Sequence, residues 1–288
     1  MTLTPTDASR AVLITGCSSG IGRAIAIGLQ QRGYRVFASV RQAQDIPELK
    51  SLGLDSLQLD LADSGSINSA VDQVLAQTQG QLYALVNNGA YGQPGAVEDL
   101  SRDTLRSQFE TNLFGTHELT NRLIPTFRAA NNGRIIQISS LLGYVCLPYR
   151  GAYNASKYAL EALSDTLRLE LHSSGIKISL IEPGPIRSRF RANAYAAYQR
   201  HIDAENSPHR ALYTQLAHRL LAEKSASFTL PAEAVLAPVL HALENKRPRI
   251  RYRVTFPAHL LATLKRLLPD RWLDYALKQI SEKEQPPK

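Results

Sequence analysis

Only two cysteines, Cys17 and Cys146, occur in 288 residues, and neither stands in a Cys-x-x-Cys pair or near a histidine cluster. That excludes a disulfide framework and gives no metal site, so both are read as small apolar residues. No apolar run reaches the roughly 18 residues that a membrane-spanning helix needs. The opening stretch, Met1 to Arg10, is polar, carries Asp7 and lacks an apolar core, so it does not read as a secretory signal. A cytoplasmic protein is expected. Charge of one sign is also scarce outside a single region: of the formal net +8, residues 245 to 288 supply 11 Lys and Arg against 4 Asp and Glu. A basic tail without a recognised motif argues against a nucleic-acid partner. With 44% hydrophobic and 20% charged residues, neither disorder nor a fibrous architecture is indicated, and the length suits one large domain.

What is present is alternation. Short, nearly continuous apolar runs at Ala11 to Thr15, Arg35 to Val40, Ser56 to Leu59, Leu82 to Asn87, Gly133 to Ser139 and Ile176 to Ile181 read as strands, with helical segments between them. Runs of this kind are buried on both faces, and the strand-helix-strand order implies a parallel sheet, hence a doubly wound α/β fold of the Rossmann type with about seven strands. Arg249 to Val254 alternates charged and apolar residues and reads as a last, edge strand. Residues 1 to 10 form an N-terminal extension, 11 to 255 the main domain, and 256 to 288 a basic amphipathic C-terminal segment. Between about 186 and 228 no strand signal appears, and Tyr195, Tyr198, Tyr213 and Phe228 lie among helical stretches. An insertion there opens at the carboxyl edge of the sheet and is expected to be a substrate lid.

The first strand runs into Thr15-Gly16-Cys17-Ser18-Ser19-Gly20-Ile21-Gly22 and then a helical pattern. Glycines allow a sharp turn and a close approach of backbone N–H groups to a pyrophosphate, and the helix N-terminus adds partial positive charge. Gly16, Ser18, Ser19, Gly20 and Ile21 are therefore candidate contacts to a dinucleotide. An NAD site would place an acidic residue at the end of the second strand, but Ser39 and Val40 stand there and Arg41 follows. A guanidinium suits a 2′-phosphate, which favours NADP(H). Asp60, after the third strand, is placed to accept from the adenine amino group, with a helix cap as the alternative.

Tyr153 and Lys157 lie four residues apart in a helical segment, Ala152 to Ser173, and share one face. Of the twelve tyrosines only this one has a lysine four positions on. An adjacent ammonium is expected to stabilise phenolate, making Tyr153 usable as acid or base. Ser140, at the end of the fifth strand, is a candidate to hold a substrate oxygen, with Ser139 as its rival. Asn112, in an otherwise helical stretch, is a candidate holder of a relay water.

These residues closely resemble the classical short-chain dehydrogenases/reductases over 11 to about 255. The family's glycine-rich loop stands at Thr15, Gly16, Gly20 and Gly22, and its Asn-Ser-Tyr-Lys tetrad falls on Asn112, Ser140, Tyr153 and Lys157. The thirteen-residue spacing from Ser140 to Tyr153 chooses Ser140 over Ser139. The resemblance implies that Tyr153 and Lys157 also touch the cofactor, Lys157 at the nicotinamide ribose. It implies that Pro183, Gly184 and Ile186 meet the nicotinamide carboxamide, with Ser188 where threonine is usual. The family's Asn-Asn-Ala-Gly stretch appears as Asn87-Asn88-Gly89-Ala90, its last two residues transposed, which implicates Asn87 and Gly89 near the adenine ribose.

Within the family the motifs look most like bacterial NADP-dependent aldehyde reductases, and next like 17β-hydroxysteroid and retinol dehydrogenases. An inactive NADP-sensing protein is the remote alternative. A small-molecule carbonyl or alcohol substrate and a homo-oligomer are implied. Leu260, Leu261, Leu264, Leu267 and Leu268 share helical spacing beside Lys265 and Arg266. That pattern leaves open a peripheral membrane contact, a cover for the substrate pocket, or packing on the chain's own domain or a partner subunit.

Overall fold

The computed structural model describes residues 7–222 and 227–283. Seven strands form one sheet: β1 (Asp7–Ile14), β2 (Tyr34–Val40), β3 (Asp55–Gln58), β4 (Ala84–Asn87), β5 (Gly133–Ile138), β6 (Ile176–Pro183) and β7 (Arg251–Val254). Their spatial order is β3-β2-β1-β4-β5-β6-β7, and each neighbouring pair is parallel. The helices are α1 (Gly20–Gln31), α2 (Ile46–Ser51), α3 (Ser64–Thr78), α4 (Arg102–Phe109), α5 (Gly115–Ala129), α6 (Gly151–Glu170), α7 (Phe190–His201), α8 (Arg210–Leu221), α9 (Leu236–Glu244), α10 (Phe256–Leu267) and α11 (Asp270–Lys283).

The continuous apolar runs are explained by two covered faces. Val12, Ile14, Val86 and Ile136 point under Ile25 and Leu29 of α1 and Val239 and Leu243 of α9. Their chain neighbours Ala11, Leu13, Leu85 and Ile135 point the other way, under Val71 of α3 and Leu119, Leu123 and Phe127 of α5. Alternate residues serve opposite cores, so the central strands are apolar on both faces over most of their length. The strand order reverses between β1 and β4, and the crevice at their carboxyl ends is where such sheets bind ligands.

Strand limits fall within two residues of expectation except at β1, which begins four residues early. Its first residue pairs with Tyr34 ahead of an irregularity before Ala11, so residues 7–10 belong to the sheet rather than to an extension. Residues 1–6 lie outside the described residues, as does the polar end from Gln285. β7 is an edge strand, as its alternation predicts, but starts two residues late. Arg249 spends its N–H on the Tyr252 hydroxyl and its carbonyl on Ser179, in place of ladder bonds. The expected lid contains α7 and α8; residues 223–226 near its end are not described. Among the described residues no helix is long and apolar enough to cross a membrane. Cys17 is buried as expected, whereas Cys146 is exposed, because the loop that carries it turns outward between Val145 and Leu147.

The C-terminal segment forms two helices, not one, broken at Leu268-Pro269. Ala258, Leu261, Leu273 and Leu277 pack on Leu141, Leu142, Val145, Leu147 and Tyr153. The expected leucine face is split: Leu261, Leu264 and Leu268 turn inward, while Leu260 and Leu267 face solvent. Of the readings the sequence leaves open, packing on the chain's own domain, beside Tyr153, is the one observed.

Candidate active site

The loop after β1 is held without charge. The Thr15 hydroxyl accepts from the N–H groups of Asn88 (2.9 Å) and Gly89 (2.7 Å), and the Asn88 amide donates to the carbonyls of Thr15 (3.0 Å) and Gly16 (3.1 Å). Gly16 and Gly20 have φ of 70° and 59°, where side chains are disfavoured. A Cβ on Gly22 would lie 2.4 Å from the Gly16 carbonyl, so α1 approaches the loop as closely as the backbone allows. Ser19 caps α1 without a side-chain hydrogen bond, which leaves the first N–H groups of the helix to an external acceptor. Ser18 and Ser19 are half-buried at that end, and Ile21 packs into the α1 core. The cradle fits a dinucleotide pyrophosphate.

Arg41 is exposed beyond β2, and the Ser39 side chain is fully buried. Burial raises the Tyr91 phenol, opposed by the charges of Arg200 and Arg41. Asp60 is not the cap of α3, a role taken by Asp63. Its Oδ1 accepts from Ala62 N–H at 3.0 Å in a local turn. Asn87 turns away from the crevice to donate to Thr120 at 2.9 Å, leaving its neighbour Asn88 to brace the loop. At the transposed Gly89, a Cβ would stand 2.8 Å from the tip of the Leu61 side chain.

Ser140 and Tyr153 come together. Ser140 caps a short 3₁₀ turn, Leu141–Gly143, by accepting from Leu142 N–H at 3.1 Å, and it lies beside the Tyr153 phenol. Ser139 faces the other way, toward Glu161. Burial pushes the Tyr153 hydroxyl up to about 12, with Ser140 and Arg150 opposing. Lys157 does not meet the phenol directly, contrary to expectation. Its Nζ lies 5.8 Å from the Tyr153 ring centroid and donates to the Ile138 carbonyl at 2.8 Å, because a lysine stem one turn on reaches past the ring to the end of β5. Burial lowers this ammonium to about 8, opposed by Glu161. An ammonium has three donors and only one is spent on Ile138, which suits ribose hydroxyls.

Asn112 sits in a π turn, Glu110–Phe114, between α4 and α5. The wide turn brings its side chain inward, where Oδ1 accepts from Tyr91 N–H (3.1 Å) and Nδ2 donates to Tyr91 O (2.9 Å) and Ser156 Oγ (3.1 Å). Both amide hydrogens are spent on the protein, so the side chain has none for a water.

After β6, Gly184 N–H donates to Val254 O and Arg187 N–H to Leu230 O, and Ile186 bridges Leu230. Pro183 and Gly184 are thereby fixed at the sheet's carboxyl edge. Ser188 stands over the glycine loop, 2.8 Å from where a Cβ on Gly20 would be. Two neighbours escape sequence reading. Arg189 donates to the Ser18 carbonyl at 3.0 Å, and the Phe190 ring meets the Tyr153 ring edge-on at 5.3 Å while covering Gly92. Nothing local marks them; only the fold brings 190 to 153. Glu161, Glu182 and Arg251 were also missed, although a glutamate inside the apolar run 176–183, and another one turn past Lys157, were signals.

A family model described as short chain dehydrogenase matches residues 10–199. The uncharacterized oxidoreductase YbbO of Escherichia coli (strain K12) is 43% identical over 93% of this chain and 94% of its own length. The NADPH-dependent 3-dehydrocapnine reductase of Ornithobacterium rhinotracheale is 32% identical over 92% and 95%. A short-chain dehydrogenase from Streptomyces avermitilis has a solved structure that is 28% identical, with a TM-score of 0.73 over 96% of each chain. With its parallel seven-stranded sheet, its glycine cradle and a half-buried serine beside a buried tyrosine, this chain belongs to the short-chain dehydrogenase family of nicotinamide-dependent oxidoreductases.

Proposed function

We propose that the protein is an NADP(H)-dependent carbonyl reductase that converts an aldehyde or ketone of an amphiphilic molecule to the alcohol. The observation that carries it is the placement of Ser140, at the end of β5, beside the buried phenol of Tyr153, next to the apolar inner face of α10 and α11. When bound, the dinucleotide supplies the hydride.

The residues do the rest. Ser140 orients the substrate oxygen, and Tyr153 donates the proton to it. A phenol whose pKa burial has raised holds its proton at neutral pH, which suits reduction; the reverse direction requires added positive charge to release it. Lys157 binds the ribose and brings that charge near. Asn112 holds Tyr91 and Ser156 in place, so a relay water would rest on its main chain. Arg41 takes the 2′-phosphate, the cradle from Gly16 to Ile21 the pyrophosphate, and the backbone of Pro183, Gly184 and Ile186 the carboxamide.

An apolar substrate is supported by the wall beside Tyr153, where Leu141, Leu142, Val145, Leu147, Leu261, Leu273 and Leu277 form a packed hydrophobic cluster. The Ornithobacterium relative is likewise named as an NADPH-dependent reductase. Long-chain aldehydes and ketones with NADPH are the substrates to assay, with steroid and retinoid substrates as a separate arm. Turnover confined to that arm would move the protein to the hydroxysteroid and retinol dehydrogenase type. Tyr153→Phe is expected to lower kcat by about 10²–10⁴-fold, the usual worth of a general acid, while the NADPH Kd stays within about threefold. Retained turnover would remove Tyr153 from its role.

A further inference from the structure

The face of α6 that carries Tyr153 and Lys157 continues at the same four-residue interval through Glu161 and Asp165. Glu161 is buried one turn beyond Lys157. Its Oε2 receives both Nε (3.1 Å) and Nη2 (2.9 Å) of Arg251, from the edge strand β7. The same guanidinium reaches Asp165 Oδ2 at 2.6 Å and Glu182 Oε1 at 3.0 Å, and Arg253 stands 3.3 Å from the other Glu182 oxygen. Glu161 Oε1, by contrast, is buried without a hydrogen-bond partner, on the side where Gly143 and Ser139 lie.

A carboxylate buried with one oxygen unpaired is costly unless a charge nearby compensates it. The buried ammonium of Lys157, short of acceptors itself, is the cation on the same helix face. The other charged and titratable groups around Glu161 are Asp165 and Arg168 on α6, Glu182 from β6, Arg251 and Arg253 from β7, and Tyr144 from the segment after β5. A cavity of about 450 Å³, lined by Arg251, Arg253, His241 and His259, opens on the outer side of this cluster. Water therefore reaches the arginines, while Glu161 and Lys157 stay inside.

We propose that Glu161 is a positioning residue for the reaction, holding Lys157 in its charged form, and that Arg251 keeps Glu161 ionised for that task. The inference rests on the reading of Lys157 as part of the proton-transfer machinery. Its sign follows from burial: desolvation lowers the Lys157 ammonium and Glu161 opposes it, so loss of the carboxylate lets Lys157 become neutral at lower pH.

The test is a 13C NMR titration of Lys157, assigned with Lys157→Met, in the full chain without dinucleotide, alongside the pH profile of NADPH-dependent carbonyl reduction. In Glu161→Gln the Lys157 midpoint and the alkaline limb of kcat are both expected to move down by about one pH unit, the low end of an opposite-charge effect. Glu161→Asp is expected to restore most of the shift. Arg251→Lys, which keeps a cation at the clamp, provides a second variant should Glu161→Gln fail to fold, with a smaller downward shift expected. A lowered Tm with an unmoved Lys157 midpoint in every folded variant would overturn the inference and leave the cluster as a fastening of α6 to β7. A shifted midpoint in a protein that turns over no carbonyl would uphold it while overturning the proposed activity.

Discussion

The two ends of the crevice are built from opposite materials. Where β1 meets α1, the shape is made by backbone and neutral hydrogen bonds: Thr15, Asn88 and three glycines, with no ion pair inside the loop. Where β6 meets β7, five charged side chains, Glu161, Asp165, Glu182, Arg251 and Arg253, press against one another behind the catalytic helix. A cradle for a charged ligand must leave its own N–H groups free and its charge unspent. A site that moves protons needs fixed charges nearby, and these survive burial only in mutual contact. The difference teaches that a neutral backbone cradle and a cluster of charges in mutual contact are separate constructions along one sheet edge.

The comparison sharpens first at Gly22. In Gly22→Val the side chain would collide with the Gly16 carbonyl and the Asn88 amide. Dinucleotide affinity is expected to fall by about 100-fold and stability by about 1–3 kcal/mol, the cost of overpacking. Titration of NADPH fluorescence and thermal melting measure the two, and the Lys157 midpoint should not move. Arg41→Ala is the smaller perturbation. Loss of a hydrogen bond to a charged group, about 1.5 kcal/mol, raises the NADPH Kd about tenfold and leaves that for NADH unchanged. An equal effect on both cofactors would disconnect Arg41 from the 2′-phosphate.

The third perturbation tests the charged end alone. Burial pushes the Glu182 carboxyl up to about 7, further raised by Glu161 and opposed by Arg253 and Arg251. A carboxyl with a folded pKa above its unfolded value near 4.3 binds protons more tightly in the folded state. Its contribution is complete below about pH 4 and is lost as pH rises through about 7. Wild type is thus expected to lose a few degrees of Tm between pH 5 and 7.5, and Glu182→Gln to flatten that slope. An unchanged slope would assign the loss to other groups.

Sequence reading reached the neutral end almost completely, since glycines, strand runs and turn order are local signals. It also placed Tyr153 and Lys157, because helix periodicity fixes a shared face, whereas the strand terminus left Ser139 and Ser140 open and only the family resemblance chose between them. It failed where a partner comes from far along the chain. Asn87 and Asn88 are adjacent and chemically identical, and only the approach of Thr120 and Thr15 decides which one faces the loop. The phenol's surroundings were misjudged for a similar reason: four-residue spacing fixes a shared face, but not whether a flexible stem ends at the ring or at Ile138. The split leucine face of α10 depends on where the chain turns at Pro269, which no local periodicity records.

The Arg189 bond to the Ser18 carbonyl ties the threshold of α7 to the shelf beneath the cofactor. Phe190, the next residue, leans on the reacting phenol. A single dipeptide thus latches the head of α7 to two neighbourhoods at once, so that neither contact can be undone without loosening the start of that helix.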